Sequence, residues 1–142
     1  MGAEIEQVVL AFVAAAHGER MDVDAMMALV SDDFVYQLNV PRSAVIRGRD
    51  AARAEFERHV AMATGMIAGS EIRMVVSNDE TVVMERFDVN DIGGGTRLTF
   101  HVASIFDVRD GEITGWREYW DTGDVARQMG LDAPQILPPP PD

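Results

Sequence analysis

Apolar side chains recur at Ile5, Val8, Val9, Phe12, Val13 and Ala16, a spacing of three and four that lines one face of a helix, and Gly18 ends it. A second short helix is expected over Asp22 to Val30, capped by Asp22 or its neighbour, with Met26, Met27, Leu29 and Val30 packing inward. Phe34 to Leu38 reads as a strand. After Gly48-Arg49-Asp50 an alanine-rich stretch to about Thr64 returns to helical spacing, with Ala54, Phe56, Val60 and Ala63 toward the core and Arg53, Glu57 and Arg58 in water. From Ser70 the period changes to two, which predicts strands over 71–77, 81–90, 97–108 and 113–121. Asn78-Asp79-Glu80 and Arg109-Asp110-Gly111-Glu112 suit tight hairpins, and Gly93-Gly94-Gly95 a looser link, so the strands are expected to run antiparallel. Three N-terminal helices feeding a curved antiparallel sheet predict an α+β fold, a cone whose mouth holds a pocket.

The end of the chain reads differently. Ala133-Pro134-Gln135-Ile136-Leu137 followed by four prolines and Asp142 cannot continue a helix or a central strand, so residues 1–131 are expected to form one domain and 132–142 an extended proline-rich tail. A chain of 142 residues suits a single core large enough to enclose a ligand. Its net charge of −12 disfavours nucleic acid and anionic membrane surfaces as partners. The absence of cysteine excludes disulfides, thiolate metal sites and a thiol nucleophile. The acidic start Met1-Gly2-Ala3-Glu4-Ile5-Glu6 lacks the features of a targeting segment, and the longest apolar run, Val8 to Ala16, is nine residues, so a soluble cytoplasmic protein is expected.

The chemistry-bearing residues lie in the strands. In 81–89 the even positions Val82, Met84, Arg86 and Asp88 share one face, which sets an arginine beside an aspartate among apolar neighbours. A strand salt bridge is the plainer explanation of that pair taken alone. Asp121 closes the last strand, as a helix cap before Thr122-Gly123-Asp124 or as a second carboxylate of a site. One guanidinium between two carboxylates leaves a net charge of −1, and like charges in an apolar pocket retain a proton on one of them. The trio would then hold an acid and a base together, with no metal, cofactor or covalent intermediate required. His17, at a helix end where a cation suits the dipole, and His59, on a polar stretch, are expected to be structural or exposed. His101, between Phe100 and Val102, reads more plainly as a satisfied sheet histidine than as a catalytic one, and is a candidate to line the pocket together with Met84 and Trp116. Trp116 and Trp120 share a strand face opposite Tyr119, a large apolar surface that needs a cover; a homodimer through the outer sheet face is expected.

Tyr36-Gln37, Arg47-Gly48-Arg49, Glu85-Arg86-Phe87-Asp88 and the run from Asp110 to Asp121, Asp-Gly-Glu-Ile-Thr-Gly-Trp-Arg-Glu-Tyr-Trp-Asp, resemble the limonene-1,2-epoxide hydrolase family over most of residues 4–130. The resemblance implies the curved-sheet cone of the nuclear transport factor 2-like superfamily, a homodimer, no cofactor, and one-step addition of water to an apolar epoxide by an Asp-Arg-Asp trio. It makes Asp88 the acid that protonates the epoxide oxygen, Asp121 the base on the water and Arg86 the bridge, with Tyr36 and Asn39 completing the water site. The family's Tyr-Gln-Asn run appears here with one extra residue, Tyr36-Gln37-Leu38-Asn39, so a bulge is required to turn Asn39 toward the water. An isomerase or cyclase using Asp121 to abstract a carbon-bound proton, and a non-catalytic module holding a hydrophobic ligand, stay open on the residues alone.

Overall fold

The structure is a computed structural model describing residues 2–18, 20–62, 66–91 and 95–131, with backbone only at 62 and 66–68. The expected proline-rich tail, Gly93 and Gly94 lie outside the described residues. The elements run α1 (Gly2–Ala16), α2 (Val23–Met27), β1 (Val30–Gln37), β2 (Ile46–Arg47), α3 (Arg49–Met62), β3 (Met66–Ser77), β4 (Thr81–Asp91), β5 (Arg97–Arg109), β6 (Glu112–Tyr119) and α4 (Thr122–Met129).

The six strands form one curved, unclosed sheet in the order β2-β1-β6-β5-β4-β3, with helices against it, an α+β architecture as the period change predicts. β3 to β6 are an antiparallel meander. The β5–β6 hairpin turns through Asp110 at φ 52° and Gly111 at φ 76°, the paired left-handed conformations of a two-residue turn whose twist matches the strands. One pairing departs from the antiparallel expectation: β1 lies parallel to β6, with Tyr36 opposite Trp116. The two strands are far apart in sequence, so the short-link argument that orders the meander does not govern them.

α1 lays Val9, Phe12, Val13 and Ala16 onto the concave face, and all four are buried. α3 contributes Ala52 and Phe56, a spacing of four that shares one face, whereas Ala54, expected inward, is exposed. Against them stand Phe34 and Tyr36 of β1, Val82 and Met84 of β4, Phe106 and Val108 of β5, and Ile113 and Trp116 of β6. Asp22 caps α2 through Ala25 N at 3.0 Å as expected, but Val30 opens β1 and does not continue the helix. Among the described residues no helix is long and apolar enough to cross a membrane.

Candidate active site

Strand alternation assembles a polar cluster on this otherwise apolar concave face. Val82, Met84, Arg86 and Asp88 all point inward from β4, and each is buried. On β5 the inward set is Val102, Ser104 and Phe106, and register places Ser104 opposite both Met84 of β4 and Glu118 of β6. Glu118 follows Trp116 by two residues and therefore shares its inward face. β4 and β6 are two strand spacings apart, roughly 9.5 Å, so only long side chains can meet over the intervening strand.

Arg86 does so. Its Nε donates to both oxygens of Asp88 at 2.9 and 3.0 Å, its Nη2 to both oxygens of Glu118 at 3.0 and 3.2 Å, and its Nη1 to Ser104 Oγ at 2.9 Å. Ser104 Oγ in turn donates a hydrogen bond to Glu118 Oε2. Ser70 Oγ of β3 donates to Asp88 Oδ1 at 2.7 Å. Arg86, Asp88 and Glu118 are 1%, 6% and 5% exposed, so this is one buried cation between two buried carboxylates.

The charges do not cancel. Burial opposes the charge on Arg86, but Glu118 and Asp88 more than offset it, and the guanidinium is held above its ordinary pKa. Burial lifts the Glu118 carboxyl above the usual carboxylate range, against the pull of Arg86 and the Ser104 hydroxyl, and Asp88 adds to the rise. Tyr36 is 3% exposed, and burial holds its phenol protonated, well above the usual phenol range, with Glu118 next among the causes. Around the trio lie aromatic rings: Trp116 stacks on Phe106 at 5.7 Å and 11°, meets Tyr36 at 4.9 Å, and receives Phe12 edge-on at 5.1 Å. Such a site pairs an acid and a base with apolar walls.

The structure brings together Arg86, Asp88, Tyr36, Met84 and Trp116 on this face and leaves three other candidates away from it. Asp121, expected as the base, is the N-cap of α4: Oδ1 accepts from Asp124 N at 3.1 Å and the side chain is 72% exposed. The cap reading therefore describes its place, because the chain leaves the sheet at Tyr119 and the carboxylate turns to the free N–H groups of the next helix. His101, expected to line the pocket, alternates with inward Val102 and so faces outward, exposed, with its ring 4.9 Å from Phe87. Asn39 is buried beyond the end of β1 in a turn closed by Ser43, and its Nδ2 donates to Trp120 O at 2.8 Å. It makes no hydrogen bond to Tyr36 or to the trio. Trp116, read both as a pocket-lining candidate and as part of an apolar surface in need of a cover, is a core residue at 3% exposure.

Glu118, Ser104 and Ser70 belong to this hydrogen-bonded cluster, and the sequence reading did not name them. Parity contained the signal for Glu118: once Trp116 is inward, so is Glu118. Among the described residues no group of three or more His, Asp or Glu is placed to hold a metal ion. An open depression of about 480 Å³ between α2 and α3, reaching Arg20, Asp24, Glu57 and Val60, contains none of the trio, and two of its acids pair with Arg53.

Residues 3–130 match the family model described as the limonene-1,2-epoxide hydrolase catalytic domain. The chain belongs to the limonene-1,2-epoxide hydrolase family. As a member of it, the chain is 34% identical over 119 residues to epoxide hydrolase EphG of Mycobacterium tuberculosis (strain ATCC 25618 / H37Rv), across 84% of this chain and 74% of that protein. The solved structure of an LEH-like epoxide hydrolase of M. tuberculosis matches with a TM-score of 0.76 at 32% identity, over 89% of this chain and 90% of its own. An NTF2-like protein of Burkholderia xenovorans LB400 matches with a TM-score of 0.70 at 23% identity, over 90% and 97%, a likeness of fold. Where the family resemblance implied Asp-Arg-Asp, the buried set of this limonene-1,2-epoxide hydrolase family member is Asp88-Arg86-Glu118.

Proposed function

We propose that this protein adds water in a single general acid/base step to an apolar epoxide, giving a vicinal diol, with Glu118 as the base on the water and Asp88 as the acid on the epoxide oxygen. One observation carries the reading: a single buried guanidinium is forked between two buried carboxylates at an aromatic wall. Burying three charges serves a passive apolar binding site poorly, whereas a pair sharing one proton supplies both halves of a proton-balanced hydration.

The lifted pKa of Glu118 makes it a better acceptor for the water proton, and Tyr36, interacting electrostatically with it, is the phenol placed to hold that water. In the step the water oxygen forms the new C–O bond as its proton passes to Glu118. The epoxide C–O bond breaks with its electron pair on oxygen, which takes the proton of Asp88. Arg86 holds both carboxylates in place with its planar fork and stays charged throughout. Return of one proton from Glu118 to Asp88 resets the pair. The apolar wall of Trp116, Met84 and Phe106 suits a hydrocarbon epoxide.

The test is product formation from cyclohexene oxide, styrene oxide and limonene oxide, followed by chiral chromatography of the diol. Diol formation supports the reading; a folded protein that instead exchanges a substrate C–H with deuterated solvent and forms no diol contradicts it. Tyr36→Phe is expected to lower kcat roughly tenfold, the value of one neutral hydrogen bond of about 1–1.5 kcal/mol, with little change in thermal midpoint.

The homodimer is also part of the proposal. Met74 and Val76 of edge strand β3 are 47% and 50% exposed on the convex side, neighbouring apolar positions that a second copy would cover, and Tyr119 of β6, 38% exposed, lies on the same side beyond Glu85 and Ala103. Light scattering is expected to give twice the 15.6 kDa chain mass, and a monomer at micromolar concentration contradicts it.

A further inference from the structure

His17 follows the last turn of α1, with its backbone N–H donating to Val13 O at 2.9 Å. A histidine at a helix C-terminus is normally favoured as a cation by the dipole. Here the reverse holds: burial first, then Arg86, depress its pKa to about 4, and Asp88 only partly opposes them. The ring thus lies partly buried within electrostatic reach of the Arg86–Asp88 end of the trio, and it is a neutral imidazole at physiological pH, with one nitrogen a donor and the other an acceptor. Its Nδ1 is shut away from solvent and has no hydrogen-bond partner among the described residues. A buried polar atom left unpaired is uncommon in a folded protein, and a bound substrate is one partner that would satisfy it. The helix that carries it packs Phe12 against Trp116 and Phe106, so the same element supplies part of the apolar wall and this polar group.

We propose that His17 is a further catalytic residue, whose Nδ1–H hydrogen-bonds the epoxide oxygen that Asp88 protonates. The inference rests on the hydrolase reading and adds to it. Asp88 delivers the proton; His17 gains and loses none. Its hydrogen bond strengthens as the C–O bond breaks and charge gathers on oxygen, so its contribution falls on kcat more than on KM. The imidazole must be neutral and its Nδ1 protonated for this, a tautomer that nitrogen NMR reads directly.

The experiment has two arms. Wild type, His17→Phe and His17→Gln are compared on cyclohexene oxide, and the His17 ring is followed by nitrogen-15 NMR in the Glu118→Gln protein, where epoxide accumulates unreacted and the Trp116 Nε1 signal reports its binding. The expected result is a roughly 10²-fold lower kcat for His17→Phe, partial rescue by His17→Gln, and a shift of a protonated Nδ1 on adding epoxide. Wild-type kcat in His17→Phe, or a His17 signal unmoved while Trp116 responds or while neither responds, overturns the assignment even if one variant misfolds. Absence of epoxide turnover by wild type overturns the hydrolase reading and this assignment with it, so the two failures are told apart.

Discussion

Glu118→Gln is expected to lower kcat for epoxide hydrolysis by about 10²–10⁴-fold, the range for losing a positioned proton acceptor, while Asp121→Asn stays within about twofold of wild type. The asymmetry follows from where the two acids sit. Glu118 is 5% exposed and held by Arg86 and Ser104, whereas Asp121 is a solvated N-cap for which asparagine is an equally good substitute. Stability moves the other way. A carboxyl whose folded pKa is raised contributes stability below its ordinary pKa and loses it as pH rises through the folded value, so ionised Glu118 is a liability at neutral pH. Glu118→Gln is therefore expected to match or exceed the wild-type thermal midpoint at pH 7–8, with the difference narrowing as pH falls toward 4. Calorimetry across that range, beside the activity assay, checks both halves.

Arg86→Met is expected to cost about 3–5 kcal/mol of stability, because it strands Asp88 and Glu118 as unpaired charges inside the core. For a chain of this size that lowers the thermal midpoint by roughly 10–15 °C. Combining it with Asp88→Asn and Glu118→Gln removes the stranded charges and should recover most of the loss without recovering activity, since apolar or neutral replacements of buried ion clusters are often tolerated. Arg86→Lys separates charge from geometry. A lysine keeps the cation but offers no planar fork, and one ammonium cannot bridge both carboxylates bidentately across β5. It should lose most of kcat while unfolding less readily than Arg86→Met. Thermal denaturation of the three variants with parallel kinetics decides this, and a wild-type midpoint for Arg86→Met would remove the structural basis of the trio.

The sequence carried the local parts of this arrangement. Period two in 81–89 was sufficient to set Arg86 beside Asp88 on one strand face, though not to say that the face is the buried one, and Asp110-Gly111 was sufficient to locate the β5–β6 hairpin, because alternation and turn conformation are properties of neighbouring residues. Pairing across the sheet was less legible. That Ser104 stands opposite Glu118, and that Arg86 spans β5, depends on register between strands, and the parallel contact of β1 with β6 on a long connection. Asp121 had both a capping and a catalytic reading, and the i to i+3 spacing to Asp124, a local signal, described its place. His101 was misread because its neighbours Phe100 and Val102 are both apolar; the alternation of Val102, Ser104 and Phe106 over a longer window assigns it to the convex side. Two-residue β2 lies below what a periodicity argument can detect.

The central claim is direct attack of water under control of Asp88, Arg86 and Glu118. A single-turnover reaction, enzyme in excess over styrene oxide in oxygen-18 water, tests it most directly by mass analysis of the first diol formed. The account predicts one heavy oxygen in diol from wild type and from Asp121→Asn, and diol formation about 10²–10⁴-fold slower from Glu118→Gln. First-turnover diol with only light oxygen would mean that a carboxylate oxygen of the protein attacked the epoxide, and full activity in Glu118→Gln would place the base elsewhere; either result contradicts the account.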